Sequence, residues 1–101
     1  MSKYVPMTAE AAFADIEAIM GSDKSELEKT KILCDKGTVC YDNEDDIPAA
    51  AYYDEALALG VLTDENLNEI QFRCGVSYAG HDGRKSFEML KKAAEGGHVK
   101  A

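Results

Sequence analysis

The residues of this chain that could carry out chemistry are few, and their surroundings argue against each use. Gly75-Val76-Ser77-Tyr78-Ala79 has the G-x-S-x-A outline of a nucleophile elbow, whose serine must stand on a sharp turn between a strand and a helix. The flanking residues predict mid-helix instead, and the two histidines, His81 and His98, fall in a loop and a tail. Asp42, Glu44 and Asp46 alternate like the start of a calcium loop, but such a loop requires Gly at its sixth position and Glu at its twelfth, where Ile47 and Tyr53 stand. The stretch is expected to be a solvated acidic turn that caps the next helix. Cys34 and Cys40, six positions apart, do not share a helix face, so they form neither a redox pair nor a metal clip. With Cys74 they make an odd set matching no zinc or disulfide framework, and free, mostly buried thiols are expected. No phosphate-binding loop or dinucleotide fingerprint occurs. The expectation is a protein that is not an enzyme and needs no cofactor or metal.

Composition bounds what remains. A chain of 101 residues supports one domain with one modest core. Ala and Leu dominate Val and Ile among the apolar residues, which favours helices, and a hydrophobic share of 46% alongside 30% charged residues belongs to a folded chain. The first eight residues lack an apolar run of secretory length, and no stretch approaches the ~20 apolar residues that cross a bilayer, so a cytoplasmic location without a membrane partner is expected. The net charge of −8 disfavours direct nucleic-acid binding, which needs clustered Lys and Arg. Residues 1–83 carry six basic against seventeen acidic side chains and residues 84–101 five against two, so a basic tail follows an acidic body. Lys91 and Lys92 in that tail complement the dipole of their own helix.

The elements that would position these residues are helices. Thr8 is a good N-cap for a first helix through Ala12, Phe13, Ile16 and Ile19 to a stop at Gly21. Ser25 and Glu28 have capping-box spacing at the head of a second, which runs through Leu27, Ile32, Leu33 and Val39 to about Tyr41. Pro48, with Asp45 or Asp46 as cap, starts a third that ends at Gly60. Thr63 opens a fourth that carries Leu67, Ile70, Phe72 and Val76 toward Gly80. The fifth spans roughly 84–95 with Phe87, Leu90 and Ala94, and stops at Gly96-Gly97. The fold class predicted is all-α, about five short helices arranged as antiparallel hairpins.

A repeat links them. Ala12, Ile16 and Ile19 return 37 residues later as Ala49, Tyr53 and Ala56, and again as Ser86, Leu90 and Ala93, while Gly60 maps onto Gly97. Small residues at the outer positions let two helices approach closely, and the larger middle one fills the groove beside them. The intervening helices match at an offset of 38, pairing Ile32 with Ile70, Gly37 with Gly75 and Cys40 with Tyr78, as expected if the second hairpin's turn lost one residue. Gly37, Cys40, Ala49, Tyr53 and Ala56 stand at the spacing of the tetratricopeptide signature G-x-x-Y…A-x-x-x-F…A, from which Cys40 departs. The second unit more closely resembles the related Sel-one-like repeat. Cys74-Gly75 and Tyr78 occupy its L-G-x-x-Y positions, and residues 92–101 look like its K-A-A-E-x-G-H-x-x-A ending.

The resemblance divides one helical-repeat domain, 1–101, into a half unit (8–21), a first repeat (25–60) and a second (63–97). It implies a right-handed stack of helix pairs whose concave surface, lined by the first helix of each pair, binds another protein or peptide. Mapped onto this sequence, the groove residues are Lys31, Asp35, Thr38, Asp42, Glu69, Arg73 and Val76. The family's best-known groove grips a C-terminal carboxylate with several converging cations. Lys31 and Arg73 are the only cationic candidates here, and Asp35, Asp42 and Glu69 repel a carboxylate, so a basic or neutral partner segment is expected. Because the chain stops where a third hairpin would begin, an apolar stripe around Phe87 and Leu90 is expected to be covered by a partner or by a second copy in a homo-oligomer. The alternative is a small acidic inhibitor, such as a toxin-immunity or phage-encoded blocker, that presents Asp42, Glu44, Asp45 and Asp46 to a basic surface of its target.

Overall fold

The computed structural model describes residues 3–96, and among them the chain is all-α. The helices are α1 (Ala9–Met20), α2 (Glu26–Asp42), α3 (Asp46–Ala58), α4 (Asp64–Tyr78) and α5 (Gly83–Glu95). Local chemistry fixes several boundaries. The Thr8 hydroxyl accepts from the Ala11 amide and starts α1. Ser25 and Glu28 close the capping box that opens α2, with Ser25 Oγ accepting from the Glu28 amide and Glu28 Oε1 from the Ser25 amide. Asp82 accepts from the Lys85 amide and brings Gly83 into the first turn of α5, one residue before the start expected at Arg84. Thr63 sits at the N-cap of α4 without a side-chain cap bond.

α2 packs on α3, α3 on α4 and α4 on α5, while α1 lies against α3 and α2. Helix α3 is therefore buried on opposite flanks. Its Ala49, Tyr52 and Ala56 join Ala12, Ile16, Ile19, Leu33 and Cys40 in one cluster, and its Ala50 and Tyr53 join Ile70, Cys74 and Tyr78 in the next. Such a helix cannot show a single apolar stripe, because both sides meet protein.

The repeated positions are those that close the packing. Ala12, Ile16 and Ile19, then Ala49, Tyr53 and Ala56, then Ser86 and Ala93, are all buried, with Leu90 half-buried. Gly37 and Gly75 are buried as well. A Cβ on Gly37 would stand 2.8 Å from the Tyr53 ring, and one on Gly75 2.8 Å from Leu90 Cγ. Each hairpin thus rests its second helix on a glycine of its first.

Several apolar residues expected inward face solvent. Phe13, Leu27 and Val39 are exposed, since each lies off the arc defined by Ala12, Ile16 and Ile19 in α1 or by Thr30, Leu33, Gly37 and Cys40 in α2. In α5 the buried alanine is Ala93, not Ala94. The stripe expected around Phe87 and Leu90 shrinks to Phe87, which is 68% exposed, because Leu90 is turned into Gly75. No helix among the described residues is long and apolar enough to cross a membrane. Gly97, His98 and the remainder of the 92–101 ending beyond Gly96 lie outside the described residues.

Candidate functional site

The first helices of the two hairpins, α2 and α4, line a groove of about 400 Å3. Lys31, Asp35, Glu69 and Arg73, four of the seven residues expected there, are on its walls. Leu27, Cys34, Leu62 and Ile70 supply apolar surface, with Thr30 and Asn66 completing the lining. Asp42 and Val76 belong to a separate depression of about 440 Å3 at the other end of the same face, together with Tyr41, Glu44 and Asp46. The predicted set is therefore one face with two hollows.

Arg73 divides them. Its Nε donates to Glu69 Oε2 at 3.0 Å one turn back, its Nη1 donates to Thr38 Oγ1 on α2 at 3.2 Å, and its guanidinium lies 5.5 Å from the centre of the Tyr41 ring. The Thr38 hydroxyl is also 2.9 Å from the Tyr53 hydroxyl, so the groove wall is tied to the core. A guanidinium engaged in this way on three sides fixes the spacing of α2 and α4, and Arg73 and Thr38 are half-buried groups in that wall.

Asp45 departs from the expected acidic face. Its Oδ2 accepts from the Tyr4 hydroxyl at 2.6 Å and from the Met7 amide at 2.9 Å, pinning the segment before α1 to the start of α3. It sits at the N-cap of α3 but makes no side-chain cap bond there. Burial and the Asp45 carboxylate push the Tyr4 phenol above its usual range. Asp42, Glu44 and Asp46 remain as exposed acids, and Glu44 holds a left-handed backbone with φ 58°.

Comparison of the chain with protein-family models, with curated proteins and with solved structures finds no match. Ser77 is in the interior of α4, fully buried, and its Oγ has no hydrogen-bond partner among the described residues. A nucleophile must reach its substrate, and this hydroxyl cannot. Burial pushes the Cys34 thiol up to about 11 and the Cys74 thiol up to about 12, and raises Cys40, so none is the low-pKa thiolate that redox or acyl chemistry uses. No cluster of three or more His, Cys, Asp or Glu side chains that could hold a metal occurs among the described residues.

A second cleft of about 460 Å3 opens between α1, α3 and the α4–α5 turn, floored by Ala50, Ala51 and Ala58 with Phe13 and Ile47 on its walls. Three of its polar groups are engaged with one another: the Tyr78 hydroxyl donates to Asp54 at 2.8 Å, and Lys85 lies 3.9 Å from Asp54 and 5.3 Å from the Tyr78 ring centre.

Sequence reasoning missed Leu27, Cys34 and Leu62 as groove surface, while Ile70 is a core residue whose edge reaches the groove. The repeat offset of 38 pairs Lys31 with Glu69 and Asp35 with Arg73 across the groove, but hydrophobicity alone does not separate groove from core among the apolar residues beside them.

Proposed function

We propose that this chain is a non-enzymatic protein-interaction module of the tetratricopeptide and Sel-one-like kind, binding a segment of another protein across the face of α2 and α4. The observation that carries the reading is the groove itself. It combines apolar surface from Leu27, Leu62 and Ile70 with charged walls from Lys31, Asp35 and Glu69, which is the chemistry of a site that holds a chain by burial and orients it by polar contacts. The recurrence of the Gly37–Tyr53 contact as Gly75–Leu90 supports the repeat resemblance.

The experiment is affinity capture of partners from the source cells with wild-type protein and with Leu27→Glu. Leu27 is 69% exposed, so the substitution leaves the core intact. Partners retained by the wild type and lost by Leu27→Glu support the groove; partners held equally by both defeat it. The exposed Asp42, Glu44 and Asp46 favour a second reading, an acidic inhibitor that occupies a basic surface. That reading predicts a partner lost on joint neutralisation of those three residues and indifferent to Leu27→Glu. Asp45 is left out of the test because it anchors Tyr4 and Met7.

A further inference from the structure

The two hollows on the α2–α4 face differ in character, and the difference has a direction. At the end nearer the starts of α2 and α4, apolar surface from Leu27, Leu62 and Ile70 lies between walls of balanced charge, Lys31 and Arg73 against Asp35 and Glu69. At the other end Asp42, Glu44 and Asp46 surround Tyr41 and Val76. Both helices also end there. Neither α2 nor α4 has a basic residue in its last turn, although the carbonyls of Val39, Cys40, Tyr41, Val76 and Tyr78 are taken up by the turns that follow. Three exposed carboxylates with no lysine or arginine among the residues lining the hollow therefore give this end its negative charge. The nearest guanidinium, Arg73, is engaged by Glu69, Thr38 and Tyr41.

Resting on the groove reading above, we infer that the face selects a partner segment with two anchors: an apolar side chain seated between Leu27, Leu62 and Ile70, and a Lys or Arg side chain over Asp42, Glu44 and Asp46. Charge complementarity selects a basic residue at the acidic end, since a carboxylate there would meet like charge. The spacing follows from helix geometry. Lys31 and Cys34, at the apolar hollow, precede Asp42 by eleven and eight positions on α2, or about 12–16 Å along the axis. An extended segment covers that distance in about four or five residues.

A randomised library of ten-residue synthetic peptides, selected on the intact protein and read by mass spectrometry, tests this. The expected winners carry Leu, Ile or Phe four or five positions from Lys or Arg. Amide shifts on binding are expected at Leu27 and Ile70 and at Asp42 and Val76 together. The winner should bind at least tenfold more weakly to the triple variant Asp42→Asn/Glu44→Gln/Asp46→Asn, whose three sites are exposed so that it keeps its fold. Winners that shift Leu27 and Ile70 but show no basic preference, or lose less than tenfold on the triple variant, overturn the basic anchor and leave the groove reading standing. Absence of enrichment, or shifts on other faces, overturns both. Concentration-dependent shifts at Leu27 and Val76 without peptide would mean that a second copy occupies the face, and would overturn the inference as well.

Discussion

A Cβ on Gly37 would stand 2.8 Å from the Tyr53 ring, and thirty-eight residues on, Gly75 stands in the same relation to Leu90. In both hairpins a larger side chain of the second helix lies flat on bare backbone of the first, and the close approach needs the missing side chain. Gly37→Ala and Gly75→Ala are each expected to destabilise by about 1–3 kcal/mol, the usual range for overpacking a filled contact. Gly80→Ala is the control, since nothing lies within 4 Å of a Cβ there, and it should change stability by no more than ~0.5 kcal/mol. Urea unfolding followed by circular dichroism measures all three. Pairing Gly37→Ala with Tyr53→Leu, the residue type of the second hairpin, should cost less than the two single changes added together.

The legibility of this chain follows the reach of each signal. Caps act within one turn, so Thr8 and the Ser25–Glu28 box set the starts of α1 and α2 where the sequence placed them. The repeat gave the buried positions because spacing of 37 and 38 reflects helices stacking on helices. Asp45 was misjudged for the opposite reason: its partners, Tyr4 and Met7, lie about forty positions away, and a run of acids looks solvated when read locally. The groove was half legible. Its charged walls followed from the repeat register, whereas Leu27 and Ile70 could not be sorted between core and groove by hydrophobicity alone, and the split into two hollows depends on where Arg73 reaches.

The Asp15–Tyr52 bond should limit stability at both ends of the pH scale. Asp15 Oδ2 accepts from Tyr52 Oη at 2.6 Å and from Lys36 Nζ at 2.8 Å. Burial works to raise the Asp15 pKa, but the Lys36 and Tyr52 bonds outweigh it and hold it below the ordinary value. A depressed carboxylate contributes stability above its unfolded pKa near 4, lost as pH falls through the folded value. The Tyr52 phenol is raised, first by burial and then by Asp15, so its contribution is complete below the unfolded value near 10 and is lost as pH climbs beyond it. Asp15→Asn should cost about 1–2 kcal/mol at pH 7 and flatten both edges. Unchanged pH dependence of the urea midpoint would show that the bond does not hold α1 to α3.

Ser77 offers a test with the opposite sign. A fully buried hydroxyl without a partner costs its desolvation and returns nothing. Ser77→Ala removes that cost and raises helix propensity within α4, so a gain of about 1 kcal/mol is expected. A loss of stability would mean that the hydroxyl has a partner in solution. The same variant should leave partner capture unaffected, because Ser77 lines neither hollow of the α2–α4 face.

The three thiols should separate by position and report on the groove. Cys34 is half-buried on the groove wall with its thiol pushed up to about 11 by burial, whereas Cys74 is closed to solvent and pushed up to about 12. Relative to a free cysteine near 8.5, the Cys34 thiolate fraction at pH 8 falls roughly 240-fold, while the greater nucleophilicity of a more basic thiolate restores about 10- to 18-fold. Alkylation by iodoacetamide should therefore run roughly 20-fold slower than for a free thiol, with Cys34 first and Cys40 and Cys74 modified only after unfolding. A peptide seated against Leu27 and Ile70 covers Cys34, so it should slow that reaction further in proportion to occupancy. If Cys34 alkylates at the same rate with and without a bound segment, the segment lies elsewhere. If Cys74 reacts first, the packing of α3 on α4 opens before the groove does, and the α2–α4 face is not rigid.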